Sequence, residues 1–138
     1  MNPIDHVING ALVAGAIAFL ISPLNLLVAV PLGIAGALFP DLDTHVGTHR
    51  KTFHNGFLLL FFCIGAVVYP LFVYFPIGVA SHYLLDALCS RRGIAFFYPV
   101  SKSEYQSKGG VTVDDDRARM VTVAMSGSEI ILVALFLA

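Results

Sequence analysis

Tryptophan is absent from the 138 residues, cysteine occurs only twice, and Asp, Glu, Lys and Arg together make up 12%. Each shortage excludes something. Cys63 and Cys89 do not form a CxxC pair and stand in apolar or helix-end contexts, so a disulfide framework is not expected. Soluble domains carry about one-quarter charged residues, and a chain this poor in charge does not read as one. A formal net charge of −1 offers no basic field, which excludes direct nucleic-acid binding. Met1 to Asp5 lack a basic cluster, and polar groups interrupt the apolar residues after them, so no tripartite leader is visible.

Most of the chain is apolar: 57% of residues, with mean hydropathy +0.82. Apolar segments run over roughly 7–21, 24–39, 56–75, 76–90 and 120–138. Most fall short of the ~20 residues of a straight span. Pro31 and Pro70 are expected to kink or split the second and third. The apolar segments predict an all-α fold, a small polytopic membrane bundle of four to five short transmembrane helices, to which the His and Asp residues taken up below add a metal site at one end. We read residues 1–138 as one membrane domain: a motif-bearing core over 1–100, a polar loop over 101–119 and a C-terminal helix over 120–138.

Uncharged breaks occur at Ser22-Pro23-Leu24-Asn25 and between Tyr69-Pro70 and Phe75-Pro76, whereas residues 40–55 and 91–119 are polar. If each segment crosses once, the N-terminus and both polar stretches share one side. All eight Lys and Arg then lie on that side, which the positive-inside tendency makes cytoplasmic.

The same topology gathers the chemistry. His6 opens the first helix. Phe39-Pro40-Asp41-Leu42-Asp43 ends the second, and His49 and His54 precede the third. His82 and Asp86, four apart, share a face of the fourth as it returns. Ionisable groups inside a membrane helix are costly and by default functional, and a carboxylate beside a histidine is a recurrent ligand arrangement. Singly, each of these residues also fits a solvated loop or an interfacial position, and His45 reads as a loop histidine. Jointly, His6, Asp41, Asp43, His49, His54, His82 and Asp86 point to metal. Imidazole with carboxylate, without thiolate, suits zinc first, with manganese or iron as alternatives. More candidates than one tetrahedral ion takes leave one or two ions open. Asp43 is the expected proton acceptor and Arg50 the group that neutralises developing charge. Arg50 and Lys51 could hold a phosphate, though they equally carry the positive-inside signal, as do Arg91 and Arg92.

These pieces also carry a resemblance. His6, Phe39-Pro40-Asp41-Leu42-Asp43, Thr48-His49-Arg50 with Phe53-His54, and Ser81-His82-Tyr83-Leu84-Leu85-Asp86 stand in order, followed by Gly93-Ile94 and Tyr98-Pro99. Over about residues 1–100 the chain resembles the YdjM-like group of inner-membrane-associated, metal-dependent hydrolases, also labelled LexA-binding. Asn55 stands where that group usually has Ser, and Cys89-Ser90 near its usual Thr; both positions are expected behind the ligands.

Three functions compete. The first is a metal-dependent hydrolase of phosphoester or lipid head-group substrates at the cytoplasmic interface of the inner membrane, taking a phospholipid or lipid-linked phosphate. The second is a metal-stapled scaffold whose 91–119 stretch recruits a cytosolic protein, as the LexA-binding label implies. The third is a metal or proton carrier using His82, Asp86 and Glu129; it ranks last because nothing polar lies on the far side. Asp114 to Asp116 fit the favourable start of the last helix better than a second cation site.

Overall fold

The computed structural model describes residues 2–48, 50–112 and 114–137. Helix α1 covers Pro3–Ile21. Its start is encoded locally: the Asn2 side chain accepts from the Ile4 N–H, the Asp5 carboxyl accepts from the Asn2 N–H, and Pro3 stands in the first turn. Ser22, held extended before Pro23, ends it. A 3₁₀ turn leads into α2, Leu26–Leu38, which runs through Pro31 without a break. A second 3₁₀ turn, Pro40–Leu42, and the single-turn α3, Asp43–Val46, come next.

Helix α4 covers Gly56–Val68 and is capped by the Asn55 side chain, which accepts from the Leu58 N–H. Asn caps as well as Ser does. Thirteen residues rise about 20 Å, short of the ~30 Å hydrocarbon layer. The third apolar segment thus stops at Tyr69-Pro70 and does not continue to residue 75. Pro70 opens a 3₁₀ turn to Val73, while Pro76 falls in the first turn of α5, Tyr74–Leu84, where its missing N–H has no partner to lose. A π-helical turn, Leu85–Cys89, completes α5, and α6 covers Ala118–Leu137. Four of these stretches, Pro3–Ile21, Pro23–Val46, Pro70–Cys89 and Ala118–Leu137, are long and apolar enough to cross a membrane. No strand occurs among the described residues; isolated bridges join Ser90 to Val111 and Ile94 to Tyr105.

Helix α1 packs on α2, α5 and α6, and α2 also packs on α5. Small residues set the spacing, as is usual where lipid removes the hydrophobic drive between helices. A Cβ on Gly10 would lie 2.6 Å from the Gly33 carbonyl, and one on Gly78 would collide with that same carbonyl from the α5 side. Asn9 of α1 donates to the Ser81 carbonyl of α5 at 3.1 Å, and the Ser126 hydroxyl of α6 donates to Asn9 Oδ1 at 2.6 Å. At the polar end Arg119 Nε pairs with the buried Asp5 at 3.2 Å. These contacts pull the first turn of α1, the end of α2 and the end of α5 to one place.

Candidate metal centre

Helix α5 delivers His82 and Asp86 one turn apart, both fully buried. The His82 Nδ1–H donates to the Ala37 carbonyl on α2 at 2.6 Å, which directs Nε2 the other way. His54 reaches the same spot from the turn before α4. Its Nδ1–H donates to Asp43 Oδ2 at 2.9 Å, and the Phe53 N–H reaches the same oxygen at 3.3 Å. The Tyr83 hydroxyl meets the Phe53 carbonyl at 2.5 Å and the Asn55 carbonyl at 3.2 Å, pinning the turn on both sides of His54.

The two Nε2 atoms therefore face each other at 3.0 Å. Since Asp43 and the Ala37 carbonyl each take an Nδ1 proton, each neutral ring presents a lone pair, and neither has a proton to give the other. Burial lowers the pKa of His54 below the ordinary histidine value, against an opposing pull from Asp43, so charging that ring is disfavoured. A cation held by both nitrogens would resolve the contact.

The surrounding donors fit that cation. Asp41 Oδ1 lies 3.8 Å from His54 Nε2 and 3.8 Å from His82 Nε2; Asp86 Oδ2 lies 3.8 and 3.6 Å from the same two atoms. Ligand atoms about 2.0–2.1 Å from a tetrahedral ion are separated by roughly 3.3 Å, so small inward shifts would close this set. His6 stands on the other side of His82, its ring stacked at 3.7 Å and its Nε2 3.6 Å from Asp86 Oδ1. His6 is buried, and its Nδ1 has no hydrogen-bond partner among the described residues. Three aspartates and one arginine surround the three imidazoles, a balance that a divalent cation completes.

Arg50 adopts the left-handed region, φ 64°, which costs a non-glycine residue about 1 kcal/mol or more. In that conformation its carbonyl accepts from the Ala95 N–H at 3.1 Å. Its guanidinium binds the Arg92 carbonyl and both Asp86 oxygens, at 3.2 and 3.1 Å for the latter. Asp41 and Arg50 also line an open cavity of about 460 Å³, walled by Pro3, Leu38 and Leu42 and rimmed by Thr44 and His45. The site is thus closed on the bundle side and reached past Asp41, which is 25% exposed.

The structure brings together His6, Asp41, Asp43, His54, His82, Asp86 and Arg50, with Asp43 behind His54. His49 lies outside the described residues. Lys51 turns away to Glu104 at 3.3 Å, and Arg91 Nε donates to the Gly110 carbonyl. In the acidic run, Arg117 donates to both oxygens of Asp115. Sequence reasoning missed Tyr83, whose hydroxyl needed a polar partner beside His82, and the Ala37 carbonyl, which no side-chain pattern reveals.

A family model described as YdjM inner membrane protein matches residues 1–138. No curated protein and no solved structure matches. With that match spanning a helical bundle that carries four potential membrane spans, the chain belongs to the YdjM inner membrane protein family.

Proposed function

We propose that the chain is a membrane-embedded, metal-dependent hydrolase of phosphoester or lipid head-group substrates, working at the cytoplasmic interface. The observation that carries this reading is the pair of Nε2 atoms at 3.0 Å, each aimed by its own Nδ1–H donation. His54, His82 and Asp86 would hold one divalent ion, zinc by donor chemistry, with Asp41 beside them at the cavity mouth. Both possible donor groups, His6–His82–Asp86 and Asp41–His54–His82, use His82, which favours one ion over two. A bound ion would supply Lewis acidity, polarising a phosphoryl oxygen and lowering the pKa of a water.

The chain's own residues do the rest. Asp43 fixes the His54 tautomer and orientation. Asp41, at the cavity mouth, is placed to accept a proton from water, a role better suited to it than to Asp43, whose Oδ2 is taken up by His54. Arg50 neutralises charge on the substrate, its fork shared between Asp86 and an incoming phosphate. Leu38, Leu42 and Pro3 give the cavity an apolar wall, which suits a head group still joined to its lipid.

Two measurements test the reading in sequence. Elemental analysis of detergent-purified, metal-replete protein should find about one zinc, manganese or iron per chain, and His82→Ala should find little. Metal-free wild type would end the metal assignment. The loaded protein should then release phosphate from dioleoyl phosphatidic acid or p-nitrophenyl phosphate faster than Arg50→Ala does. Loaded protein inert on phosphomonoesters, phosphodiesters and phospholipids would leave a metal-stapled scaffold instead.

A further inference from the structure

Away from the histidines, α1, α5 and α6 enclose a second cavity of about 230 Å³. Its walls are mainly aliphatic, Val13 and Ile17 from α1, Ile77, Ala80 and Leu84 from α5, Leu132 and Val133 from α6; the hydroxyl of Ser81, also in the wall, is taken up by the Gly78 carbonyl. One acid belongs to it, Glu129, the twelfth residue of the twenty in α6, which is 6% exposed. Asn9 lies against its carboxyl from α1, yet Oε1 is buried with no hydrogen-bond partner among the described residues. An acid in the apolar interior of a membrane bundle is expensive, and its usual justification is a partner or a function.

The described residues do not provide a cationic partner. None of the Lys, Arg and His residues among them lines the cavity. Arg119, on the same helix, is ten residues away, about 15 Å along the axis, and is held by Asp5. Asp115 occupies Arg117. Leu84 and Leu132 at the cavity edge are 42% and 67% exposed, so the cleft opens at the side of the bundle, where an occupant can enter. The volume is below the roughly 300–1,000 Å³ of sites for drug-sized ligands, so that occupant is small. An aliphatic sleeve ending on one carboxyl matches one chemistry: an alkyl chain ending in a cation.

We propose that this cleft is a binding site for small lipophilic amines, with Glu129 taking the ammonium and the α1, α5 and α6 side chains taking the alkyl tail. The site is separate from the histidine cluster and does not depend on hydrolase activity. The ammonium can donate up to three hydrogen bonds, of which Oε1 accepts one.

Octylammonium and octanol, matched in chain length, are the probes, titrated into full-length protein in detergent micelles and followed by nuclear magnetic resonance. Octylammonium should bind at least tenfold more tightly than octanol, and should slow labelling of Glu129 by dicyclohexylcarbodiimide. Glu129→Gln should lose that preference, whereas Glu104→Gln, at the polar end, should keep it. If Glu129→Gln melts earlier or loses helical circular dichroism, Leu132→Trp fills the cleft with the acid intact and should abolish binding by both probes. Equal binding of the two probes, or an ammonium preference surviving in a folded Glu129→Gln protein, overturns the proposal, because the cleft would then be an acyl-chain crevice with a structural acid.

Discussion

At the scale of single residues, the site turns on which atom of each side chain is already committed. Asp43 and Asp114 are both aspartates near polar segments, but Asp43 is fully buried with Oδ2 on His54, and Asp114 is exposed. Asp43→Asn should therefore reduce metal affinity by about 10–100-fold with stoichiometry recoverable at excess metal, the usual consequence of losing a ligand's orienting carboxylate. Asp114→Asn should leave affinity unchanged. Asp86→Ala should go further and lower the stoichiometry itself, since it removes a donor atom; competition with a chromogenic chelator separates the three variants. Burial also gives His54 a pH signature. Unfolded, it takes a proton below about pH 6.5; folded, it resists, because desolvation lowers its pKa. The metal-free protein should accordingly lose stability as pH falls through about 6.5 towards that lower folded value and show no such loss above it. His54→Asn should flatten the slope, which thermal melts between about pH 5 and 8 would record.

Helices set the positions that those atoms occupy. His82 reaches Ala37 only because α2 and α5 approach closely, and they do so because Gly33, Gly36 and Gly78 leave no side chain between the backbones. Gly78→Leu inserts a side chain where even a Cβ would strike the Gly33 carbonyl. It should cost at least the roughly 1–3 kcal/mol typical of an overpacked core and separate His82 from the 41–54 segment, so metal content and melting temperature should fall together. Gly127→Leu, where a Cβ meets nothing within 4 Å, is the matched control and should change neither. The short α4 illustrates the limit of local signals. Residues 56–75 form one apolar run in sequence, but its helix stops at Val68 because Pro70 starts a new turn and leaves α4 too short to cross the bilayer straight.

For the molecule as a whole, the alternation of helices produces two properties. The N-terminal turn, the 40–55 segment and the 91–117 segment meet at one end, as the contacts Arg50–Asp86, Arg119–Asp5 and Lys51–Glu104 record. All eight Lys and Arg fall between residues 50 and 119, in or beside those segments, so Ser101→Cys in intact cells should resist an impermeant maleimide added outside and react only after lysis. Labelling from outside would invert the orientation. The second property is stapling. Four chain segments meet around His82, and an ion held there would stabilise the fold as any ligand that binds only the folded state does, by about 2.7 kcal/mol at 100-fold its Kd. Chelation should lower the melting temperature of the purified protein, with zinc or manganese restoring it. An unchanged melt in a protein shown to have lost its metal would mean that the bundle is held by packing alone.

The amino-acid sequence alone determined the all-helical, membrane-spanning character of the chain, the breaks at Pro23 and Pro70, and the candidate residues His6, Asp41, His54, His82 and Asp86. Those features are local or periodic: apolar run length, Pro and Asn punctuation, and an i, i+4 pair are all legible without a partner segment. The tertiary structure alone decided what each group does at the shared end. Asp41 and Asp43 are two residues apart and chemically identical, but the turn through Pro40–Leu42 and α3 sends one to the cavity mouth and the other behind His54. The tautomer of His82 depends on a backbone carbonyl forty-five residues away, and backbone acceptors leave no trace in side-chain patterns. Glu129 is one acid in an apolar run; only the packing of α1 and α5 against α6 gives it an aliphatic cleft and a buried oxygen without a partner among the described residues.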